Sequence, residues 1–211
     1  FAFGRFNPPT IGHEKLIQKV QSTAAKVNGK GYVFLSQTGG TEKDPLDFTT
    51  KLSYLRQHFQ SDPKLSFGDI RANTIIKVMK VLEQEGRTKI IMIAGDDRVM
   101  QFQKLLNQYN GKPTKAGNIE YTFDSIQVIS AGQRDPDAEG VAGISGTKMR
   151  AHASGNDYKS FKAGLHANHS DEHAKKLYKA TRQGMNLQKE EVGMIDFQTF
   201  LDQYIFYPIY Y

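Results

Sequence analysis

Apolar residues along this 211-residue chain occur in two patterns. Short unbroken apolar runs are typical of strands buried on both faces of a parallel sheet, whereas apolar residues that recur every three or four positions are typical of amphipathic helices. The unbroken runs predict strands at 1–3, 32–35, 90–94 and 126–129. The recurring pattern predicts helices at 14–27, 46–59, 99–109 and 148–153, with a further helix capped by Asn73 that stops at Gly86. Strands that alternate with helices predict right-handed crossovers, and hence an α/β fold with a Rossmann-like, doubly wound parallel sheet.

The pattern changes after Ser154. Residues 155–211 predict a helical C-terminal extension, with one short helix reaching about Leu165 and a longer one, capped by Ser170, ending near Met185. We therefore divide the chain into a domain at 1–154 and this extension at 155–211. The last fifteen residues of the extension are rich in aromatic residues, namely Phe197, Phe200, Tyr204, Phe206, Tyr207, Tyr210 and Tyr211. This tail either covers the protein's own core or docks on another protein or a second copy of the chain, because Tyr and Phe are enriched at interfaces.

Composition narrows the function classes. The chain has no cysteine, which excludes disulfides, cysteine-ligated zinc and thiol nucleophiles and favours a cytoplasmic location. No apolar run approaches the roughly 20 residues that a membrane helix needs, so we expect no membrane partner. The net charge of +6 favours anionic ligands. Because the lysines and arginines are dispersed and no RNA-binding signature is present, nucleic acid is not the expected partner.

The turn after the first predicted strand carries the first chemical signature, Gly4-Arg5-Phe6-Asn7-Pro8-Pro9-Thr10-Ile11-Gly12-His13. Glycine lets the backbone approach a ligand closely, and the prolines hold the turn rigid. Thr10 and His13 stand where the N–H groups and the dipole of a helix start attract anions. These residue types in this order predict a phosphate-handling turn.

This turn resembles the first signature of the nucleotidyltransferase superfamily, which ends in Thr-x-Gly-His or His-x-Gly-His. With Arg5 directly after Gly4, it looks most like the Gly-Arg-Phe-x-Pro form of the archaeal-type nicotinamide mononucleotide adenylyltransferases. The resemblance extends over roughly residues 1–153.

A second stretch, Ile144-Ser145-Gly146-Thr147-Lys148-Met149-Arg150, resembles the Ile-Ser-x-Thr-x-x-Arg motif near the end of the same superfamily's catalytic domain. The hydroxyls of Ser145 and Thr147 either cap the helix or bond phosphate oxygens, Gly146 allows close approach, and Arg150 adds a cationic fork. A Ser-x-Thr before a helix is a common cap when it stands alone. Paired with the first signature, it favours a phosphate site.

The segment after the second predicted strand resembles the family less closely. Ser36-Gln37 followed by Lys43-Asp44-Pro45-Leu46 is similar to an adenylyltransferase segment that ends in Asn-Pro-Phe or Asn-Pro-Leu, with Asp44 in place of the usual Asn. Lys43 either reaches a phosphate or is an ordinary exposed loop lysine.

Two further positions leave alternatives open. Asp96 and Asp97 follow the strand at 90–94, in a segment similar to the one that lines the family's nucleotide pocket. One of them binds a ribose, helps to hold magnesium or caps the next helix, and the cap is the role expected of Asp97. Arg134 either lines the base or acceptor pocket or belongs to a turn.

The resemblance implies an enzyme in which a phosphate on an acceptor attacks the α-phosphorus of ATP or CTP and pyrophosphate leaves. It implies Mg²⁺ on the triphosphate, with no side-chain metal ligand assigned. His13 would stabilise the transition state, with Arg150 and Thr10 as further catalytic residues, and Lys43 and Arg134 would contact the acceptor. The nucleotide-binding residues that it implies are Gly4, Arg5, Phe6, Asn7, Gly12, Ser145, Gly146, Thr147 and Asp96.

Other functions remain open at this point. Arg5 and the Ser-Gln…Pro-Leu and Ser-Gly-Thr segments favour ATP over CTP, which is the alternative substrate. The middle of the chain and residues 131–150 also resemble nucleotidyltransferase-like proteins encoded by large tailed phages. A structural protein, including one associated with a virion, and a nucleotide-binding sensor without turnover are therefore the alternatives to an enzyme. A phage member would lie in the host cytoplasm or in the virion.

Overall fold

The computed structural model describes residues 1–59, 62–132, 143–165 and 169–187. The predicted acceptor contact Arg134 and the aromatic tail at 197–211 lie outside the described residues.

Five parallel strands form the central layer of an α/β fold. The strands β1 (Ala2–Gly4), β2 (Gly31–Leu35) and β3 (Leu65–Phe67) form one sheet in the order β1-β2-β3. The strands β4 (Lys89–Ala94) and β5 (Ser125–Ser130) pair over six residues in a second sheet. The four predicted strands are present, and β3 is an addition.

Backbone hydrogen bonds connect the two sheets. The backbone nitrogen of Phe1 donates to the carbonyl of Ile91 at 2.6 Å, and the carbonyl of Phe1 accepts from the amide of Ile93 at 2.7 Å. These bonds place β1 beside β4. The three-stranded and two-stranded sheets therefore meet along this pair of strands.

Seven α-helices lie in the described residues, and four of them begin one to three residues from the predicted start. Two of these, Phe48–Phe59 and Gly146–Ser154, begin two residues later and two residues earlier than predicted. The helix α1 begins three residues earlier than predicted, because Thr10 caps it and His13 belongs to its first turn. The helix α3 is capped by Thr74, whose side chain accepts from the amide of Lys77, and not by Asn73, so that prediction is wrong. The helices are α1 (Ile11–Lys26), α2 (Phe48–Phe59), α3 (Ile75–Gln84), α4 (Val99–Tyr109), α5 (Gly146–Ser154), α6 (Tyr158–Ala163) and α7 (Asp171–Gly184).

Two apolar clusters lie on opposite faces of the strands. Successive strand residues point to opposite faces of a sheet, and along β2 Phe34 belongs to one cluster while Val33 and Leu35 belong to the other. The first cluster includes buried residues of α3 and α4, and the second includes buried residues of α1 and α2. The helices therefore cover both faces of the strand layer.

A third apolar cluster joins α5, α6 and α7 around Met149, Phe161 and Leu177. It reaches the strand-bearing part of the chain through Leu46, and the amide of Ile11 donates to the carbonyl of Gly164 at 3.0 Å. The C-terminal helices thus pack directly beside the start of α1. Among the described residues, none of the helices has the length and apolar character needed to cross a membrane.

Candidate functional site

A cavity of about 250 Å³ lies beyond the carboxyl ends of β1, β4 and β5. Its walls come from stretches that are far apart in the sequence: the opening turn with the start of α1, the end of β4, and the start of α5. The predicted site residues that line it are Gly4, Arg5, Phe6, Asn7, Gly12, His13, Ser145, Gly146, Thr147 and Arg150. The two sequence signatures therefore meet at one cavity, although more than 130 residues separate His13 from Arg150.

The start of α1 fixes the tautomer of the neutral His13 ring. Thr10 is the N-cap, and the amide of His13 donates to its hydroxyl at 3.4 Å, while the amide of Thr10 donates to Nδ1 of His13 at 3.1 Å. Because a backbone N–H can only donate, Nδ1 must be an acceptor, and the proton of the neutral ring lies on Nε2. His13 therefore has an N–H donor on the ring nitrogen that is not committed to the cap.

Phe6 supports His13 from the other side. Its side chain is fully buried, and its ring centroid lies 4.6 Å from that of the His13 ring. Its φ of 50° is in the left-handed region, which non-glycine residues rarely adopt. Such a conformation persists only where the surroundings hold it, and it is concentrated at functional sites.

Asn7 is committed to the fold instead of pointing its amide at a ligand. Its Nδ2 donates to the carbonyl of Leu46 at 3.0 Å, and its Oδ1 accepts from the amide of Leu46 at 2.9 Å. Its backbone carbonyl accepts from Nη1 of Arg150 at 2.7 Å. Asn7 therefore ties the opening turn both to the segment before α2 and to α5.

The start of α5 lies against the opening turn. Ser145 is the N-cap and accepts from the amide of Lys148 at 3.2 Å, so its hydroxyl serves the helix. A Cβ at Gly146 would lie 3.0 Å from the carbonyl oxygen of Asn7, closer than ordinary contact, so a side chain there would push the two turns apart. Arg150, one turn further on, also donates from Nη2 to the hydroxyl of Thr147 at 3.1 Å.

Positive charge predominates at this edge of the cavity. Burial and the neighbouring Arg5 lower the pKa of Arg150, although a guanidinium keeps its proton in proteins. The side chain of Arg5 is 60% exposed, and its Nη1 lies 3.7 Å from Oδ1 of Asp44. The cavity thus has two guanidinium groups close enough to repel each other, which is an arrangement suited to an anion.

Lys51 is a polar anchor that the sequence did not predict. Its side chain is fully buried, and its Nζ donates to the carbonyls of Ser36 at 2.8 Å and Thr38 at 3.0 Å. Burial lowers its pKa to about 8, although Asp44 and Asp47 act in the opposite direction. It lies on the helix predicted at 46–59, where a lysine is expected to face solvent. No sequence signal therefore identifies its burial.

The remaining predicted residues lie further from the cavity wall. Thr10, the N-cap of α1, is buried, and Lys43 is exposed on its loop. Neither residue lines the cavity. Asp97 lines it and Asp96 does not. The one-turn 3₁₀ helix at Asp96–Arg98 has no side-chain cap hydrogen bond, so the cap role expected of Asp97 is wrong.

Within the described ranges there is no group of three or more His, Cys, Asp or Glu side chains that could hold a metal ion. The described residues alone would therefore not complete the ligand shell of a divalent cation, whereas a bound phosphate and water often supply ligands to Mg²⁺. No protein-family model matches the chain, and no curated protein matches it. The function must be inferred from the residues and from the geometry of this cavity.

Proposed function

We propose that the protein is a nucleotidyltransferase that moves a nucleoside monophosphate, AMP from ATP in the favoured case, to a phosphate-bearing acceptor and releases pyrophosphate. One observation carries the proposal. The two stretches that resemble the family's signatures line the same cavity, and Arg150 of the second donates to the Asn7 carbonyl of the first at 2.7 Å.

The architecture supports the same proposal. With the two sheets joined by the Phe1 hydrogen bonds, the strand order is β3-β2-β1-β4-β5. Helices cover both faces of this strand layer. We propose that this is a Rossmann-like, doubly wound sheet. In such sheets ligands bind beyond the carboxyl ends of the strands where the strand order reverses, here between β1 and β4. The cavity lies at that point.

The reaction needs positioning and charge neutralisation more than it needs a base. An oxygen of the acceptor phosphate is already ionised at pH 7. It attacks the α-phosphorus in line, a new P–O bond forms, and the bond from the α-phosphorus to the bridging oxygen breaks with its electron pair on pyrophosphate. The protein holds the two anions together and stabilises the charge that develops at the α-phosphate. No proton has to be removed from the nucleophile.

His13 is the residue that we assign to the α-phosphate. Its Nδ1 accepts from the amide of Thr10, so the donor is Nε2–H, and the buried Phe6 ring holds the imidazole in place. A neutral donor fixed in this way can strengthen its hydrogen bond as negative charge grows on a phosphate oxygen. Thr10 acts through His13 and is a positioning residue.

Arg5, Arg150 and the starts of α1 and α5 would hold the phosphates. Helix starts offer N–H groups and a positive dipole end to anions, and guanidinium forks match phosphate oxygens. Mg²⁺ on the triphosphate would supply further charge neutralisation when it is bound. Arg5 and the Ser-Gln…Pro-Leu and Ser-Gly-Thr segments are the features that favour ATP over CTP.

The experiment is a pyrophosphate-release assay with Mg²⁺, comparing ATP and CTP. The acceptors are nicotinamide mononucleotide, phosphopantetheine, flavin mononucleotide and a sugar phosphate. We expect release with ATP and one acceptor, and its loss in His13→Ala. If every acceptor is silent while ATP binds, a nucleotide-binding sensor or a structural protein replaces the enzyme. If no nucleotide binds, the proposed function is contradicted altogether.

A further inference from the structure

The loop between β2 and α2 brings a carboxylate to the edge of the candidate site. Asp44 places Oδ1 at 3.7 Å from Nη1 of Arg5, and the Asp44 side chain is only 15% exposed. Asp44 does not itself line the cavity, whereas Arg5 does. The carboxylate therefore pairs with Arg5 from outside the cavity lining.

The fold determines this position of Asp44. Lys51 holds the near end of the loop at Ser36 and Thr38, and Asn7 holds the far end through two hydrogen bonds to Leu46. Between these anchors, the amide of Thr41 donates to the carbonyl of Asp44 at 3.2 Å, and the amide of Asp44 donates to the carbonyl of Thr41 at 3.1 Å. A turn closed in both directions and anchored at both ends cannot carry its carboxylate far from Arg5.

Asp44 is surrounded by positive charge. Its carboxylate acts on the charges of Lys51 and Arg150 as well as pairing with Arg5. Its Oδ1 is buried and accepts no hydrogen bond within the described part of the chain. The charge of Asp44 is thus compensated through space by cations, two of which belong to the cavity. A phosphate entering the cavity would use those same two cations.

We propose that Asp44 is a specificity-determining residue: an internal anion that competes with bound phosphates for Arg5 and limits how much negative charge the site accepts. This inference rests on the proposed function, because it concerns the phosphate ligands of that site. Coulomb energy is proportional to the charge of the ligand, so Asp44 disfavours a highly charged polyphosphate more than a phosphate monoester. Asp44 accordingly disfavours a triphosphate whose charge is reduced by bound Mg²⁺ less than it disfavours the free triphosphate.

The test measures anion affinity by isothermal titration calorimetry at low salt and without divalent cations. The probes are inorganic tripolyphosphate, pyrophosphate and orthophosphate, and the proteins are the wild type, Asp44→Asn, Arg5→Gln and the double variant. Glu42→Gln is the matched control, because it removes one negative charge from an exposed position on the same loop. Thermal unfolding checks that each variant is folded, and Asp44→Ser removes the same charge if the Asn variant is not.

We expect Asp44→Asn to bind tripolyphosphate about two- to fivefold more tightly, the range set by a partly exposed ion pair. The gain should decrease in the order tripolyphosphate, pyrophosphate, orthophosphate. It should exceed the gain in Glu42→Gln and should be smaller in the Arg5→Gln background, since Arg5 is the cation that pairs with Asp44 while Arg150 remains within reach of its charge.

An unchanged or weaker affinity in Asp44→Asn would overturn the inference, as would a gain that is undiminished without Arg5 or that is equal for all three probes. If wild type and variant both fail to bind any probe, the inference and the proposed function are both contradicted. If the anions bind as expected but ATP yields no pyrophosphate with any acceptor, only the proposed function fails.

Discussion

Two helices of this protein begin with the same cap and stand in different surroundings. At α1 the hydroxyl of Thr10 lies 2.9 Å from Nδ1 of His13, and at α7 the hydroxyl of Ser170 lies 2.9 Å from Nδ1 of His173. In both, the amide of the histidine donates to the capping hydroxyl. A Ser or Thr followed three residues later by His is therefore a way to start a helix, and by itself it does not indicate a catalytic site.

The difference lies in what surrounds each histidine. His13 lines a cavity and packs on the buried ring of Phe6, whereas Nε2 of His173 lies 2.9 Å from Nε2 of Gln57 on an exposed surface. The first turn of α7 also contains Asp171 and Glu172, which already favour its positive dipole end. The comparison teaches that the cavity and its cations make the α1 turn a candidate site, and the cap alone does not.

The largest expected effect separates the two histidines by activity. His13→Ala should lower kcat for nucleotidyl transfer about 10²- to 10³-fold, the loss typical of removing one donor to the developing charge. His173→Ala removes the histidine of the equivalent cap, which lies away from the cavity, and should leave kcat within about twofold. Surface substitutions usually change the free energy of unfolding by only a fraction of a kcal/mol. Steady-state kinetics of both variants provide the measurement.

An equal loss of kcat in the two variants would break the comparison, because the effect would then come from capping. Thermal unfolding of both variants is the control, and we expect similar, small decreases in stability.

The second effect concerns the loop beside the α1 turn. Lys51→Met leaves the buried carbonyl of Ser36 and the partly buried carbonyl of Thr38 without this donor and should lower the free energy of unfolding by about 1–3 kcal/mol. Urea unfolding at pH 7 measures this change. Lys104→Met, on an exposed part of α4, is the control and should change stability little.

The pH dependence of the stability difference between the wild type and Lys51→Met gives an independent check. Burial lowers the pKa of Lys51 to about 8 from its usual 10.5, so between these pH values the unfolded state binds more protons than the folded state. The wild type should therefore gain stability relative to Lys51→Met as pH rises from 8 to 10.5, and lose that gain as pH falls back to 8, below which the difference should be constant. A difference that is flat across this window would show that Lys51 titrates normally.

A third, smaller effect tests the contact that joins the two signatures. Arg150→Gln removes the bond to the Asn7 carbonyl and one cationic charge from the cavity, and should weaken ATP binding about tenfold, which corresponds to one charge-assisted hydrogen bond. Arg182→Gln, which loses a similar bond to the carbonyl of Ala153 outside the cavity, is the matched variant and should leave ATP affinity unchanged. Equal weakening in both would mean that packing of the C-terminal helices, and not the cavity charge, controls binding.

The smallest expected effect concerns the two N-caps, Thr10 of α1 and Ser170 of α7. Thr10→Ala and Ser170→Ala should each lower the free energy of unfolding by about 1 kcal/mol, the usual value of an N-cap. Only Thr10→Ala should also reduce kcat, because the hydroxyl helps to orient His13. Denaturation and kinetics on the same two preparations settle this; loss of kcat in Ser170→Ala would contradict it.

The sequence pattern predicts the strand and helix alternation well and the local starts of elements less well. The unbroken apolar run in β4 identifies it at once, whereas β3 is Leu-Ser-Phe, which is too short to have a pattern and exists because β2 offers it a partner. The prolines before Thr10 indicated a loop, and the helix begins directly after it because Thr10 and His13 cap each other.

The candidate site likewise contains residues that the sequence predicts and residues whose roles it does not. Residues of the two signatures could be chosen from their chemistry and their resemblance, and the cavity brings ten of them together. The roles of Asn7 and Lys51 could not be predicted. Both depend on which carbonyls the fold places next to them, those of Leu46 and of Ser36 and Thr38, and such tertiary partners leave no periodic signal in the chain.

The most direct measurement of the central claim follows a radiolabel from ATP. ATP labelled in the α-phosphate, and separately in the γ-phosphate, is incubated with the protein, Mg²⁺ and the acceptor panel. The account predicts that the α label enters the acceptor product and the γ label appears in pyrophosphate, in the wild type and His173→Ala but not in His13→Ala. Transfer of the γ label to an acceptor, its release as orthophosphate, or no transfer of either label would contradict it.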